Sequence, residues 1–158
     1  MADTKGTPQG EEFIRRMVSA DAFPKRLGIR FGRVAPGYAE ATLTVEEGML
    51  NFMGLTHGGV VFSLADTVFG AASNACGQVS LAVHADISFL QATTAGAVVT
   101  ARAVEESRSR RVAHYRVTVE DEQGRLVATF HGVAYLKKET HQPSTSSAEP
   151  TPPGGSHA

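Results

Sequence analysis

The stretch from Gly58 to Ala75 limits what this chain can fold into more than any other. Val60, Val61, Leu64, Ala65, Val68, Phe69 and Ala72 recur at helical spacing and cover more than half of a helix circumference. The stretch is too long for one strand and rich in alanine, so it predicts a helix buried on most sides. Such a helix needs a wrapping. The remaining sequence offers strands: Ile29–Ala35 and Tyr38–Val45 flank the turn pair Pro36-Gly37. Four more follow at Ser80–Leu90, Val98–Glu106, Arg111–Glu120 and Arg125–Lys137, with Asp121-Glu122-Gln123-Gly124 as a hairpin turn. In the first of these, Val83, Ala85, Ile87 and Phe89 alternate with His84, Asp86 and Ser88.

Upstream, Phe13, Ile14, Met17 and Val18 predict a short amphipathic helix over Glu11–Ala20, which Pro24 ends or redirects. Glu46–Thr56 has little period and reads as a loop. The order helix, two strands, long helix, four strands predicts an α+β domain whose antiparallel sheet wraps around one long central helix. A sheet with exposed edges invites pairing with a second copy, so a homodimer is expected on physical grounds.

The chain has 158 residues, enough for one domain with a sizeable core. Residues 139–158 are rich in Pro, Ser, Thr and Gly and predict a disordered C-terminal tail, and residues 1–10 a disordered N-terminus. That leaves residues 11–138 as the ordered domain. The formal net charge is −1 with no basic stripe, which argues against nucleic-acid or membrane-surface binding. Arg108, Arg110 and Arg111 form the one local excess. Composition favours a solvated loop there over a contact for a phosphorylated ligand. Cys76 is the single cysteine, so neither an internal disulfide nor a cysteine-based zinc site is expected. With no secretory signal and no bilayer-length apolar run, the expected location is the cytoplasm.

Chemistry concentrates where the long helix begins. Asn51-Phe52-Met53-Gly54-Leu55-Thr56-His57-Gly58-Gly59 leads into it, and Asp66 is its one internal acid. The first backbone N–H groups of a helix lack intrahelical partners and carry the positive end of its dipole. Gly58 and Gly59 leave such donors open to a ligand oxygen, although a tight turn alone also asks for glycine. Asp66 follows Gly58 by about 12 Å of rise, so one rigid helix does not bring them together. A neighbouring subunit could, by presenting its own Asp66. A structural acid bonded to backbone or to His84 is an equal reading of Asp66.

His57 could cap the helix, orient Gly58 or bond a ligand carbonyl. Asn51 has an amide able to donate and accept, and Thr67 could bond Asp66 or its own helix. Other chemistries lack their marks: there is no Gly-x-Ser-x-Gly elbow, no Walker loop, no Gly-x-Gly-x-x-Gly and no metal-binding histidine spacing.

Leu50-Asn51, then Thr56-His57-Gly58-Gly59, then Phe62-Ser63-Leu64-Ala65-Asp66-Thr67 resembles the hotdog-fold acyl-CoA thioesterases, in particular the phenylacetate-pathway (PaaI-like) branch. Ile87-Ser88-Phe89-Leu90 and the strand from Val98 follow in the order that resemblance leads one to expect. The resemblance implies a hotdog fold, dimers and often tetramers, and active sites between subunits. It implies that Gly58 N–H polarises a thioester carbonyl and that Asp66 of the other chain acts as general base or nucleophile. Asn51 and His57 would position the substrate, and Thr67 would support the carboxylate.

No cofactor is implied, since coenzyme A belongs to the substrate. Gly59, Phe52 and Met53 would contact the substrate, with Leu64 and Val68 either completing an apolar pocket or serving as core. One departure stands out. Where the family often has Arg-Pro, this chain has Gln91-Ala92. The nucleotide end of coenzyme A would then fall to Arg108, Arg110, Arg111 or Lys137. Two alternatives use the same residues: a non-catalytic acyl-CoA-sensing module and, more weakly, a hotdog hydratase.

Overall fold

A computed structural model describes residues 8–141 of the chain. Helix α1 (Pro8–Ala20) and the short α2 (Ala22–Arg26) precede strands β1 (Arg30–Ala35) and β2 (Tyr38–Thr44). Then come the long helix α3 (Gly58–Asn74) and strands β3 (Gln78–Phe89), β4 (Val98–Arg108), β5 (Val112–Asp121) and β6 (Leu126–Thr140). The six strands form one antiparallel sheet in the order β1-β2-β4-β5-β6-β3. Helix α3 packs against it, and the expected hotdog architecture is what the chain forms.

The packing explains the apolar breadth of α3. Leu64, Ala65, Val68, Phe69 and Ala72 are all buried, facing Ala101, Ala103, Val117 and Phe130 of the sheet. A large apolar side chain fully buried this way contributes about 1.5–3 kcal/mol. Phe69 rests on Tyr115 and Phe130, with ring centroids 5.5 and 5.8 Å away. It can do so because Gly132 faces it: a Cβ there would lie 2.7 Å from the ring. Alanines at Ala39, Ala41, Ala101 and Ala103 likewise keep β2 and β4 close to the helix.

Several expectations need correcting. Helix α1 starts at Pro8, inside the segment assigned to a disordered N-terminus, because proline at a first helical position sacrifices no hydrogen bond. Strand β6 likewise runs to Thr140, past the boundary drawn at Lys138. Gln78 pairs with Thr140, and His141 donates its N–H to Gly77 O while its ring meets Asn74 Oδ1 at 2.7 Å. The rest of the two assigned tails, residues 1–7 and 142–158, lies outside the described residues.

Pro24 breaks no helix. It sits buried in the first turn of α2, where a missing N–H costs nothing, below the N-cap Asp21. The loop after β2 contains a 3₁₀ turn over Glu47–Met49 and an isolated bridge between Leu50 and Thr56. Strand β3 does not keep clean alternation. A register shift between Ala82 and His84 leaves Val83 63 % exposed, and Phe89 at the strand's end is 55 % exposed. Only Ala85 and Ile87 of that face pack on the core.

Candidate functional site

The loop before α3 is organised by Asn51. Its Oδ1 accepts from Met53 N–H (2.9 Å) and Leu55 N–H (3.2 Å), and its own N–H donates to Leu55 O (2.7 Å). Gly54, at φ +73°, makes the turn inside this loop. Side-chain bonding to nearby backbone is what asparagine does in turns, so the oxygen of Asn51 has a structural task. Among the described residues no partner engages its Nδ2.

His57 caps α3. Its Nδ1 accepts from Gly59 N–H at 2.9 Å, and its backbone N–H donates to Met49 O at 2.8 Å. A Cβ on Gly59 would lie 3.0 Å from that Nδ1, so the cap itself requires glycine. Of the two donors offered by the glycine pair, Gly59 N–H is therefore taken. Gly58 N–H has no partner among the described residues.

Gly58 lines a cavity of about 320 Å³, together with Asn51, Thr56, Phe89, Leu90 and Thr93. The Phe89 ring comes so close that a Cβ on Gly58 would stand 3.1 Å from its Cζ. Thr93 ties the far wall to the loop, sharing a 2.7 Å hydroxyl contact with Thr56 and accepting the Thr56 N–H. Phe89, Leu90 and Thr93 escaped sequence reasoning as site residues, since nothing local marks them. Gln91 also borders this cavity. With its amide oxygen turned toward Arg125 it accepts from Nε and Nη1, both at 3.2 Å.

Asp66 lies elsewhere. It opens, with Thr67, onto a separate groove of about 330 Å³ between α3 and the α1–α2 segment. Burial pushes its carboxyl pKa up, and no described residue bonds or pairs with it, His84 included. His84 lies on the sheet's edge strand beside Asp86. Thr67 makes no hydrogen bond to the Asp66 carboxylate among the described residues. Within one chain the carboxylate and the free amide thus stay apart, as the helix rise requires.

The assigned substrate contacts fare unevenly. Phe52 is 98 % exposed and Met53 64 %, while Leu64 and Val68 are fully buried, so these four do not form a pocket together. The loop turn anchored by Asn51 projects the first pair outward, and the sheet claims the second. Arg108 is not a free cation: its Nε binds both Glu105 oxygens (3.1 and 3.0 Å) and its Nη2 donates to Tyr115 Oη (3.0 Å). A register shift between Glu105 and Ser107 makes this possible, since residues three apart on a regular strand face opposite sides. Arg111 donates to Tyr135 Oη and lies 5.9 Å from its ring centroid. Arg110 is exposed. All three sit on the β4–β5 hairpin, where Arg108 acts on Cys76 just past the C-terminal end of α3, far from Gly58.

Among the described residues no cluster of metal-ligating side chains is present, and no helix is long and apolar enough to cross a membrane.

Known proteins are similar to this chain in sequence and fold. The thioesterase superfamily profile matches residues 53–128. The acyl-coenzyme A thioesterase PaaI of Escherichia coli is 36 % identical over 119 residues, covering 75 % of this chain and 85 % of that protein. The structure of E. coli PaaI, from the phenylacetic acid degradation operon, superposes with a TM-score of 0.80 at 33 % identity, over 84 % of this chain and 96 % of that one. A variant of the phenylacetic acid degradation protein PaaI from Thermus thermophilus superposes with a TM-score of 0.71 at 41 % identity, over 73 % and 98 % of the two chains.

Proposed function

The chain belongs to the thioesterase superfamily as a PaaI-like hotdog thioester hydrolase, and from that premise we propose that it hydrolyses a small aromatic acyl-CoA to the free acid and coenzyme A. The observation that carries the mechanism is the unpartnered Gly58 N–H at the start of α3, on a residue that lines a cavity, while its neighbour's donor is consumed by the His57 cap. A thioester carbonyl oxygen placed there gains a donor that strengthens as the oxyanion forms, an effect of about 2.7–4 kcal/mol per donor.

Asp66 of the partner subunit completes the site. It takes a proton from water, the resulting hydroxide adds to the carbonyl, the C–S bond breaks and the coenzyme A thiolate leaves. Burial supports that role, because a carboxylate pushed up in pKa is a better base near neutral pH. Direct attack by Asp66 is the other route. A single turnover in ¹⁸O water tests this: label in the Asp66 carboxylate marks an anhydride opened by water at the aspartyl carbonyl. Asn51 Nδ2 serves as a second polar contact, and His57 holds the helix start in shape. Thr67, next to Asp66 in the same chain and lining the same groove, supports that carboxylate.

Assembly follows from the sheet. Strand β3 is an edge strand carrying exposed Leu81 and Val83, and pairing it with a second copy would cover both. The dimer so formed, and a tetramer of two such dimers, is our reading of the working state, in the cytoplasm and without a cofactor. The names of the relatives support phenylacetyl-CoA or a hydroxylated relative as substrate.

The test is thiol release from phenylacetyl-CoA and a straight-chain acyl-CoA panel, comparing the protein with Asp66→Ala. Release that collapses in the variant is expected. Undiminished turnover without Asp66 would remove it from the mechanism.

A further inference from the structure

We propose that the groove between α3 and the α1–α2 segment holds the acyl group, and that Phe23, Met17 and Asp21 select compact, uncharged acyl groups. This rests on Asp66 being the catalytic acid. Asp66 lines this groove, so a reacting carbonyl within reach of Asp66, or of a water on it, has the groove beside it for one of its two substituents. One substituent is the acyl group. The other is the sulfur arm, which carries amides and leads to phosphates.

The groove suits the first. Met17 and Val18 of α1, Phe23 of α2 and Phe31 of β1 give it an apolar wall. At about 330 Å³ it is at the small end of ligand pockets, which run from roughly 300 to 1,000 Å³. No cation lines it to receive a phosphate, and its two ionisable residues, Asp21 and Asp66, are both acids. An acyl group ending in a carboxylate would meet like charge at Asp21. A neutral aryl or short alkyl group meets no such repulsion.

The wall is adapted to recognition more than to stability. Phe23 is 55 % exposed and Met17 40 %, large apolar side chains that the core does not use. Asp21 caps α2, accepting from Phe23 N–H at 3.3 Å, and so fixes the ring that shares the groove with it.

The experiment measures kcat/KM for phenylacetyl-CoA, acetyl-CoA and glutaryl-CoA in the wild type, Phe23→Ala, Met17→Ala and Asp21→Asn. Ratios are taken within each variant, so a partial loss of folded protein cancels, and asparagine preserves the cap. Phe23→Ala and Met17→Ala should each lower the phenylacetyl-to-acetyl ratio by about tenfold. Asp21→Asn should raise the glutaryl-to-phenylacetyl ratio by roughly two- to fivefold, the size of an interaction with one exposed charge. An unchanged aryl ratio in both wall variants overturns the groove assignment, and an unchanged glutaryl ratio overturns the charge exclusion. If the wild type releases thiol from no acyl-CoA, or if Asp66→Ala loses nothing, the failure lies instead in the parent reading.

Discussion

Replacing Gly58 by proline removes the one atom on which the oxyanion site depends, and the local backbone is already shaped to accept it. Gly58 is the first residue of α3, a position where proline is favoured because its missing N–H has no intrahelical partner. The residue before a proline is pushed toward extended geometry, and His57 already sits at φ −61°, ψ 131°. The new Cβ would stand 3.1 Å from Phe89 Cζ and 3.4 Å from Cε1. That ring is 55 % exposed, so it can give way by the few tenths of an ångström required.

Alanine at the same position adds the same Cβ and keeps the N–H, which makes Gly58→Ala the steric control. Both substitutions should hold or raise the melting temperature. Proline contributes about 0.4–1 kcal/mol through a less flexible unfolded chain, and alanine up to about 1 kcal/mol through helix propensity. The difference between them is the donor, together with the ring carbons that take the place of its hydrogen. Losing it should cost about 2.7–4 kcal/mol of transition-state stabilisation, or 10²–10³ in kcat. The assay is steady-state thiol release from phenylacetyl-CoA by all three proteins, with thermal melts alongside. A folded Gly58→Pro enzyme with kcat within threefold of Gly58→Ala would refute the oxyanion role.

Asp66→Asn should lower kcat by about 10²–10⁴ while making the protein more heat-stable at neutral pH. Burial raises the folded-state pKa of this carboxyl, so the wild type loses stability as pH rises through that value, whereas the amide does not. The gain should vanish below about pH 3, where the acid is neutral in both states, and a melting difference that persists there would refute the burial argument. Gly132→Ala should destabilise by about 1–3 kcal/mol, because its Cβ would lie 2.7 Å from the buried Phe69 ring. Denaturant melts should show the loss, with partial rescue by Phe69→Leu, and a wild-type midpoint would show that the ring moves freely. Val83→Lys on the edge strand should shift the light-scattering mass toward monomer. An unchanged mass would place the subunit contact elsewhere.

The order of elements was legible because each strand and helix carries its own periodicity. Val60 through Ala72 announce a helix that is apolar over more than half of its circumference, and the turns at Pro36-Gly37 and Asp121-Glu122-Gln123-Gly124 mark hairpins by local chemistry. Boundaries were less legible. Pro8 and Pro24 are tolerated by the first turns of α1 and α2, and Thr140 is held in β6 by pairing with Gln78. None of these is a property of the residue's immediate neighbours.

At the site, the sequence alone determined which groups were available: a helix start with two bare glycines, a capping histidine and one acid too far along the helix to reach them. Tertiary structure decided which of those groups are free. The His57 cap consumes Gly59 N–H and spares Gly58. A register shift in β4 turns Arg108 onto Glu105, so that this candidate phosphate contact is already paired within the chain. Residues from α1, α2 and β1, far upstream in sequence, supply the wall beside Asp66. Periodicity and spacing are written within a few turns of chain, whereas hydrogen-bond competition and cavity walls arise between segments that only the closed sheet brings together.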